Sequence, residues 1–393
     1  MYKRVKTVNL LIALLVPTLV LLLLEAVCRV LRLDQNSLET AKVVVDLPRW
    51  MQEDLNLIER SHQNRMSNEE REWLSIFESG DGFRARLIPE VERRVINTFS
   101  LLPTDYKKPY LVVANKLGFR GPDLKNVKEP GMYRVLVFGD SSSYGWGVDF
   151  EDSYSFVLTE KLKEAFAGRK IELGNFAIPG DSSEYGRLIF DKFAPIYKPD
   201  LVVISFGAND AKPSYVAHVA QVDRFRRAKA VRKALSYLEY SALFRSLKIA
   251  FEKAPQIAME RNHPPRQPAV SKSRYAYNIQ AMIKDSRRYG AEKVLVLSLC
   301  SPGHYSRAAK NTATSEGALY FNGQSYLESV VDKLSAGLLE KAEVDRLRSE
   351  NKRMIESNKK LLVTSDLCHP NKIGHKLIAE ELLKLITENN QAP

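Results

Sequence analysis

Short, nearly unbroken apolar runs alternate with amphipathic stretches along the second two thirds of the chain. Arg134 to Phe138, Lys170 to Phe176, Leu201 to Phe206 and Lys293 to Leu299 are rich in Val, Ile and Leu. Runs this short and this evenly apolar suit parallel strands covered on both faces, not strands with one wet face. Tyr154 to Phe166, Ser183 to Tyr197 and Tyr275 to Tyr289 lie between them with helical spacing, and Ile373 to Ile386 makes a last helix. A fifth short strand is expected near Lys360 to Val363. The alternation predicts an α/β fold: a three-layer α/β/α sandwich around a flavodoxin-like parallel sheet of about five strands, its site at the strand C-termini.

Two connections exceed what that pattern needs. Residues 211–274 and 305–359 are far longer than the usual connection of about 4–6 residues, so both are expected to be helical insertions. Both leave the sheet on the edge where chemistry is expected and could cap it. The first carries a basic run from Arg224 to Lys233, read as a solvated helix face or as a rim for an anionic glycan or lipid headgroup. Residues 34–130 form a polar segment with helical stretches such as Leu47 to Phe77 and an extended part from Tyr110 to Gly121. It is expected to pack against the catalytic domain, residues 131–393.

Residues 1–33 depart from the pattern in another way. Lys3, Arg4 and Lys6 precede a stretch from Val8 to Leu24 without a charge. As a helix this stretch reaches about 25 Å, the short end of a membrane span. No A-x-A-like cleavage site follows it, so a signal anchor is expected, a single-pass transmembrane helix. The N-terminus would be cytoplasmic and the catalytic body periplasmic or otherwise extracytoplasmic.

Composition adds limits. The chain of 393 residues is 45% hydrophobic, ample for a large core, and carries a net charge of +12. Its basic residues are interspersed with acidic ones, and no nucleic-acid module or zinc-finger spacing is present; no nucleic-acid partner is expected. Cys28, Cys300 and Cys368 are too few for a disulfide scaffold. Cys300 and Cys368 are expected on one edge, where they form either a bridge or two separate buried thiols, the simpler reading.

Candidate chemistry collects at the ends of the predicted strands. Gly139-Asp140-Ser141 follows the first, Gly180 the second, and Gly207-Ala208-Asn209-Asp210 the third. Asp366-Leu367-Cys368-His369-Pro370 precedes the last helix. Each alone is ordinary turn or capping chemistry. Together they provide a nucleophile (Ser141), a base (His369), a carboxylate to orient it (Asp366), and oxyanion donors in the N–H groups of Ser141 and Gly180 and the Asn209 amide. His304, past the fourth strand, is a candidate pocket residue; His375 falls inside the last helix; His62, His218 and His263 are poorer candidates. No metal-ligand spacing appears.

In their order and local settings these blocks resemble the SGNH (GDSL-type) hydrolase superfamily. Gly139-Asp140-Ser141-Ser142-Ser143-Tyr144-Gly145 fits its serine block, without the leucine of the GDSL name. The resemblance covers roughly residues 132–390. It implies no metal or organic cofactor and a serine esterase or acyl-esterase acting on an O-acylated substrate, a small molecule or a carbohydrate such as a cell-envelope polysaccharide. A polysaccharide O-acetyltransferase, a lipase or lysophospholipase, and a non-catalytic glycan-binding subunit remain alternatives.

Overall fold

The computed structural model describes residues 2–31, 72–73, 75–79, 83–96, 109–214, 216–227, 241–244, 246–247, 267–337 and 369–388. The chain forms two compact units: Met1–Met66 with Asp223–Pro265, and Ser67–Val222 with Arg266–Pro393.

In the first unit, helix α1 (Tyr2–Val30) contains Pro17 and leaves Leu15, Leu19, Leu21, Leu22 and Leu23 exposed. Near its C-terminal end the Glu25 carboxylate accepts from the backbone N–H groups of Ala242 and Leu243 and from Ser241 Oγ, at 3.0, 2.9 and 2.7 Å. A carboxylate there satisfies donors that open a helical turn. Among the described residues no helix is long and apolar enough to cross a membrane.

The second unit opens with two small antiparallel ladders, β1 (Phe77–Ser79) with β2 (Ala85–Leu87) and β3 (Glu92–Ile96) with β4 (Pro109–Val113). The main sheet follows. All residues of β5 (Tyr133–Gly139) are buried, as a strand covered on both faces requires. Next come α2 (Ser141–Tyr144), α3 (Tyr154–Ala165), β6 (Ile171–Asn175), α4 (Ser183–Tyr197) and β7 (Leu201–Ser205). The two-residue strands β8 (Pro213–Ser214) and β9 (Gln267–Pro268) pair where the chain leaves and rejoins this unit, with α5 (His218–Arg227) between them in sequence. Then α6 (Lys272–Arg288), β10 (Lys293–Ser298), α7 (Gly303–Ser315), β11 (Leu319–Asn322), α8 (Gly323–Ser335) and α9 (Lys372–Glu388) complete the described elements.

The main sheet has the order β11-β10-β7-β5-β6, parallel throughout. From β5 the chain goes first to β6 on one side and then to β7 on the other. The strand order reverses there, and the crevice beyond the strand C-termini is where such sheets hold their ligands. Alternate β5 residues sort the layers: Val135 and Val137 join Leu158 and Leu162 of α3 and Leu377, Ile378 and Leu382 of α9. Phe138 faces the other way, stacked on Phe176 and edge-on to Phe190 of α4.

The parallel sheet and its flanking helices agree with the sequence reading, with one displacement. The fifth strand is Leu319–Asn322, inside the stretch read as the second insertion; residues 360–363 lie outside the described residues. It is only four residues long and half-buried, too brief to stand out as a run. Described parts of the segment before the sheet fold onto it. Phe83 and Phe119 join Phe193 in an aromatic cluster, with Phe119 also edge-on to Phe176.

Candidate active site

At the end of β5 the chain must turn sharply. A Cβ on Gly139 would lie 2.6 Å from the Ser143 side chain and 2.8 Å from the Ser205 carbonyl, so only glycine fits. Asp140 then caps α2 by accepting from the Ser142 N–H at 3.0 Å, and Gly145, at φ +81, ends it. Ser141 is the first residue of this single turn and is half-buried. The neighbouring hydroxyls are engaged elsewhere: Ser142 Oγ lies 3.3 Å from Cys300 Sγ, and Ser143 Oγ 2.7 Å from Tyr154 Oη. Ser141 Oγ instead meets His369 Nε2 at 2.7 Å. The histidine arrives from 228 residues further along the chain, just before α9. Asp366, expected to orient the imidazole, lies outside the described residues, as does Cys368.

On the β6 side, Ile178-Pro179-Gly180-Asp181 forms a turn closed by the Asp181 N–H donating to the Ile178 carbonyl at 3.2 Å. Gly180 takes φ +80, the left-handed geometry that a Pro-Gly turn of this type requires. On the β7 side, Asn209 is buried, and its Nδ2 donates to the Asp181 carbonyl at 3.1 Å. That bond ties the two loops together and uses one of the amide's two hydrogens. Ser141, Gly180 and Asn209 thus follow β5, β6 and β7, around the point where the strand order reverses.

Three buried carboxyls stand behind these loops. Burial pushes Asp140 up to about 6, Asp210 to about 7 and Asp181 to about 8. Asp181 does so despite the Arg84 guanidinium 4.0 Å away. Near neutral pH Asp181 is thus mostly protonated and withholds negative charge from loops where an oxyanion would need positive potential. Asp210 also accepts from the Ser183 N–H at 3.1 Å, joining the β7 loop to the start of α4.

Several residues near the site carry no sequence signal for it. Arg120, buried, donates to the carbonyls of Tyr144, Gly145, Leu111 and Val148 at 3.0, 2.6, 2.8 and 2.5 Å. The Trp146 ring stacks on His369, centroids 5.6 Å apart and planes at 22°, and meets Trp73 edge-on at 4.6 Å. Its one hint was a bulky aromatic between Gly145 and Gly147 directly after the serine block.

Other candidates fall elsewhere. His304 is exposed beside Tyr305 on α7. His375 is fully buried, accepts from the Tyr154 N–H at 3.2 Å, and is driven down to about 3, chiefly by burial. His218 Nδ1 lies 2.9 Å from Ser182 Oγ, a packed role. Cys300 is disulfide-bonded and Cys28 is free, which corrects the two-thiol reading for Cys300. Among the described residues no His, Cys, Asp or Glu cluster could hold a metal ion.

A profile of the GDSL-like lipase/acylhydrolase family matches residues 137–377. Over 77 residues the chain is 35% identical to an arylesterase of Vibrio mimicus, an alignment covering 20% of this chain and 38% of that protein. The solved structure of TesA shares 18% identity at a TM-score of 0.37, covering 65% of this chain and 98% of its own. The psychrotrophic esterase EstA of Pseudoalteromonas sp. shares 17% at 0.38, covering 66% and 99%. Axe2, an acetylxylan esterase of Geobacillus stearothermophilus, shares 14% at 0.38, covering 65% and 94%.

Proposed function

The chain belongs to the GDSL-like lipase/acylhydrolase family, and on that premise we propose that it is a membrane-anchored serine esterase. The observation that carries this reading is the 2.7 Å approach of His369 Nε2 to Ser141 Oγ. In the proposed reaction His369 takes the Ser141 proton as the hydroxyl attacks the acyl carbon. The developing oxyanion is met by the N–H groups of Ser141 and Gly180 and by the second amide hydrogen of Asn209. The tetrahedral species collapses as the imidazolium gives its proton to the leaving alcohol, leaving acyl-Ser141. Water, deprotonated by the same imidazole, then releases the carboxylic acid. Asp366 would hold the other ring nitrogen of His369.

The anchor in this proposal is α1. The helix runs Tyr2–Val30 and contains the uncharged apolar run from Val8 to Leu24; its side-chain exposure is described from Leu15 onward. The exposed leucines from Leu15 onward match a lipid environment better than water. An anchor with its basic residues inside would place the esterase outside the cytoplasm. O-acylated carbohydrate, such as a cell-envelope polysaccharide, is the proposed substrate.

The test uses full-length protein in detergent with an aryl acetate and a fluorophosphonate probe. Turnover and labelling that disappear in Ser141→Ala support the reading. Equal signals in both proteins remove Ser141 from the mechanism.

A further inference from the structure

Trp146 is held more firmly than a pocket-lining aromatic needs to be. Its backbone N–H donates to the Ser141 carbonyl at 3.1 Å, which fixes it to the nucleophile turn. Arg120 grips the carbonyls of Tyr144 and Gly145 before it and of Val148 after it. Gly145 and Gly147, at φ +81 and +82, let the chain turn on either side. The indole abuts Trp73, itself fully buried, whose Nε1–H donates to Tyr110 Oη at 2.9 Å. Against the Trp146 indole lies the His369 imidazole, nearly parallel at 22°.

We propose that Trp146 is a positioning residue for His369: its indole face sets the imidazole plane so that Nε2 meets Ser141 and stabilises the imidazolium formed on proton transfer. The inference rests on the esterase reading above. The stack and the bond to Ser141 act on the same planar ring from different directions. An aromatic face also attracts a cation, and does so more strongly when both are withdrawn from water. The stack therefore stabilises the imidazolium while the transferred proton is held there.

Other titratable groups face the same imidazole. Asp140, on the nucleophile turn, is coupled to it and itself titrates near 6. His375, on α9, is coupled too, but burial keeps it neutral down to about 3. Asp366 lies on the same loop by sequence. Trp146 is itself uncharged, so a change confined to the indole adds or removes no titratable group beside the imidazole.

The experiment compares full-length wild type, Trp146→Leu and Trp146→Phe on an aryl acetate across pH. In the leucine variant we expect kcat to fall about tenfold or more with KM nearly unchanged, as for a displaced catalytic group. The acid limb of kcat/KM should move to lower pH by about half to one and a half units, because the charged imidazole loses its aromatic face. Phenylalanine should restore part of both. In a Ser141→Ala background, imidazolium next to indole quenches its emission, so tryptophan fluorescence should fall on acidification. That fall should be absent in His369→Gln and in Trp146→Phe. An acid limb that stays in place in Trp146→Leu, or a fluorescence titration indifferent to His369, overturns the proposal. The fluorescence arm needs no turnover, so it decides the stack even if Ser141 is not the nucleophile. It also decides it if Trp146→Leu does not fold.

Discussion

Arg120 offers the most exposed test of how the segment before the sheet supports the site. The substitution is Arg120→Met, which keeps the stem and removes the donors. It removes a charged donor from four backbone carbonyls, those of Leu111, Tyr144, Gly145 and Val148, of which Gly145 keeps the Val148 N–H at 3.3 Å. A hydrogen bond from a charged donor contributes about 1.5–3 kcal/mol, so four set an upper bound near 6–12 kcal/mol. Against that stands the desolvation relieved when a buried guanidinium is removed, itself several kcal/mol. A net loss of about 3–5 kcal/mol follows, among the largest that single substitutions produce. It corresponds to a fall in Tm of about 10 °C for a unit of this size. Arg120→Lys should recover little, since an ammonium cannot span carbonyls on both sides of Trp146. Urea denaturation of both variants, with aryl acetate turnover measured below the transition, gives the readout. A loss under about 1 kcal/mol in Arg120→Met would show that the carbonyls find other donors, and the clamp argument would fail.

Three further outcomes are expected. Asn209→Ala should cost about 100- to 1,000-fold in kcat with a small change in KM, the loss typical of one oxyanion donor; a change confined to KM would assign Asn209 to substrate binding instead. Asp181 holds its proton to about 8 when folded but releases it near 3.8 when unfolded, so it makes stability fall as pH rises between those values. Asp181→Asn should therefore gain on the wild type steadily across that window in urea denaturation, and a pH-independent difference would show that the buried carboxyl is already charged. Reducing the disulfide of Cys300 should lower stability by about 2–4 kcal/mol, with an unchanged urea midpoint as the contrary result.

What was legible in the sequence is what local chain geometry dictates. Ser141, Gly180 and Asn209 lie in the loops that leave β5, β6 and β7, two, five and four residues past the strand ends, so each is held near its strand's C-terminal edge. His369 was legible because a Pro and an apolar helix follow it, so it had to stand at a helix start on the same side. The unread residues act across distance. Arg120 meets Val148 28 positions away, and Trp73 meets Tyr110 37 positions away; neither partner leaves a periodic trace. An arginine in Phe119-Arg120-Gly121 looks like any loop cation until its carbonyl partners are seen. The fifth strand escaped because Leu319–Asn322 is only four residues long and falls inside a stretch read as an insertion.

Ser141 and His369 are separated by 228 positions, and that distance has a temporal meaning. A ribosome adding about 5–20 residues per second needs roughly ten to forty-five seconds between them. Under the proposed mechanism, the emerging polypeptide carries throughout that interval an alcohol whose base has not yet been made. On the proposed reading, hydrolytic power switches on only once residue 369 has been made and α9 has docked, and a product terminated before that point lacks the base.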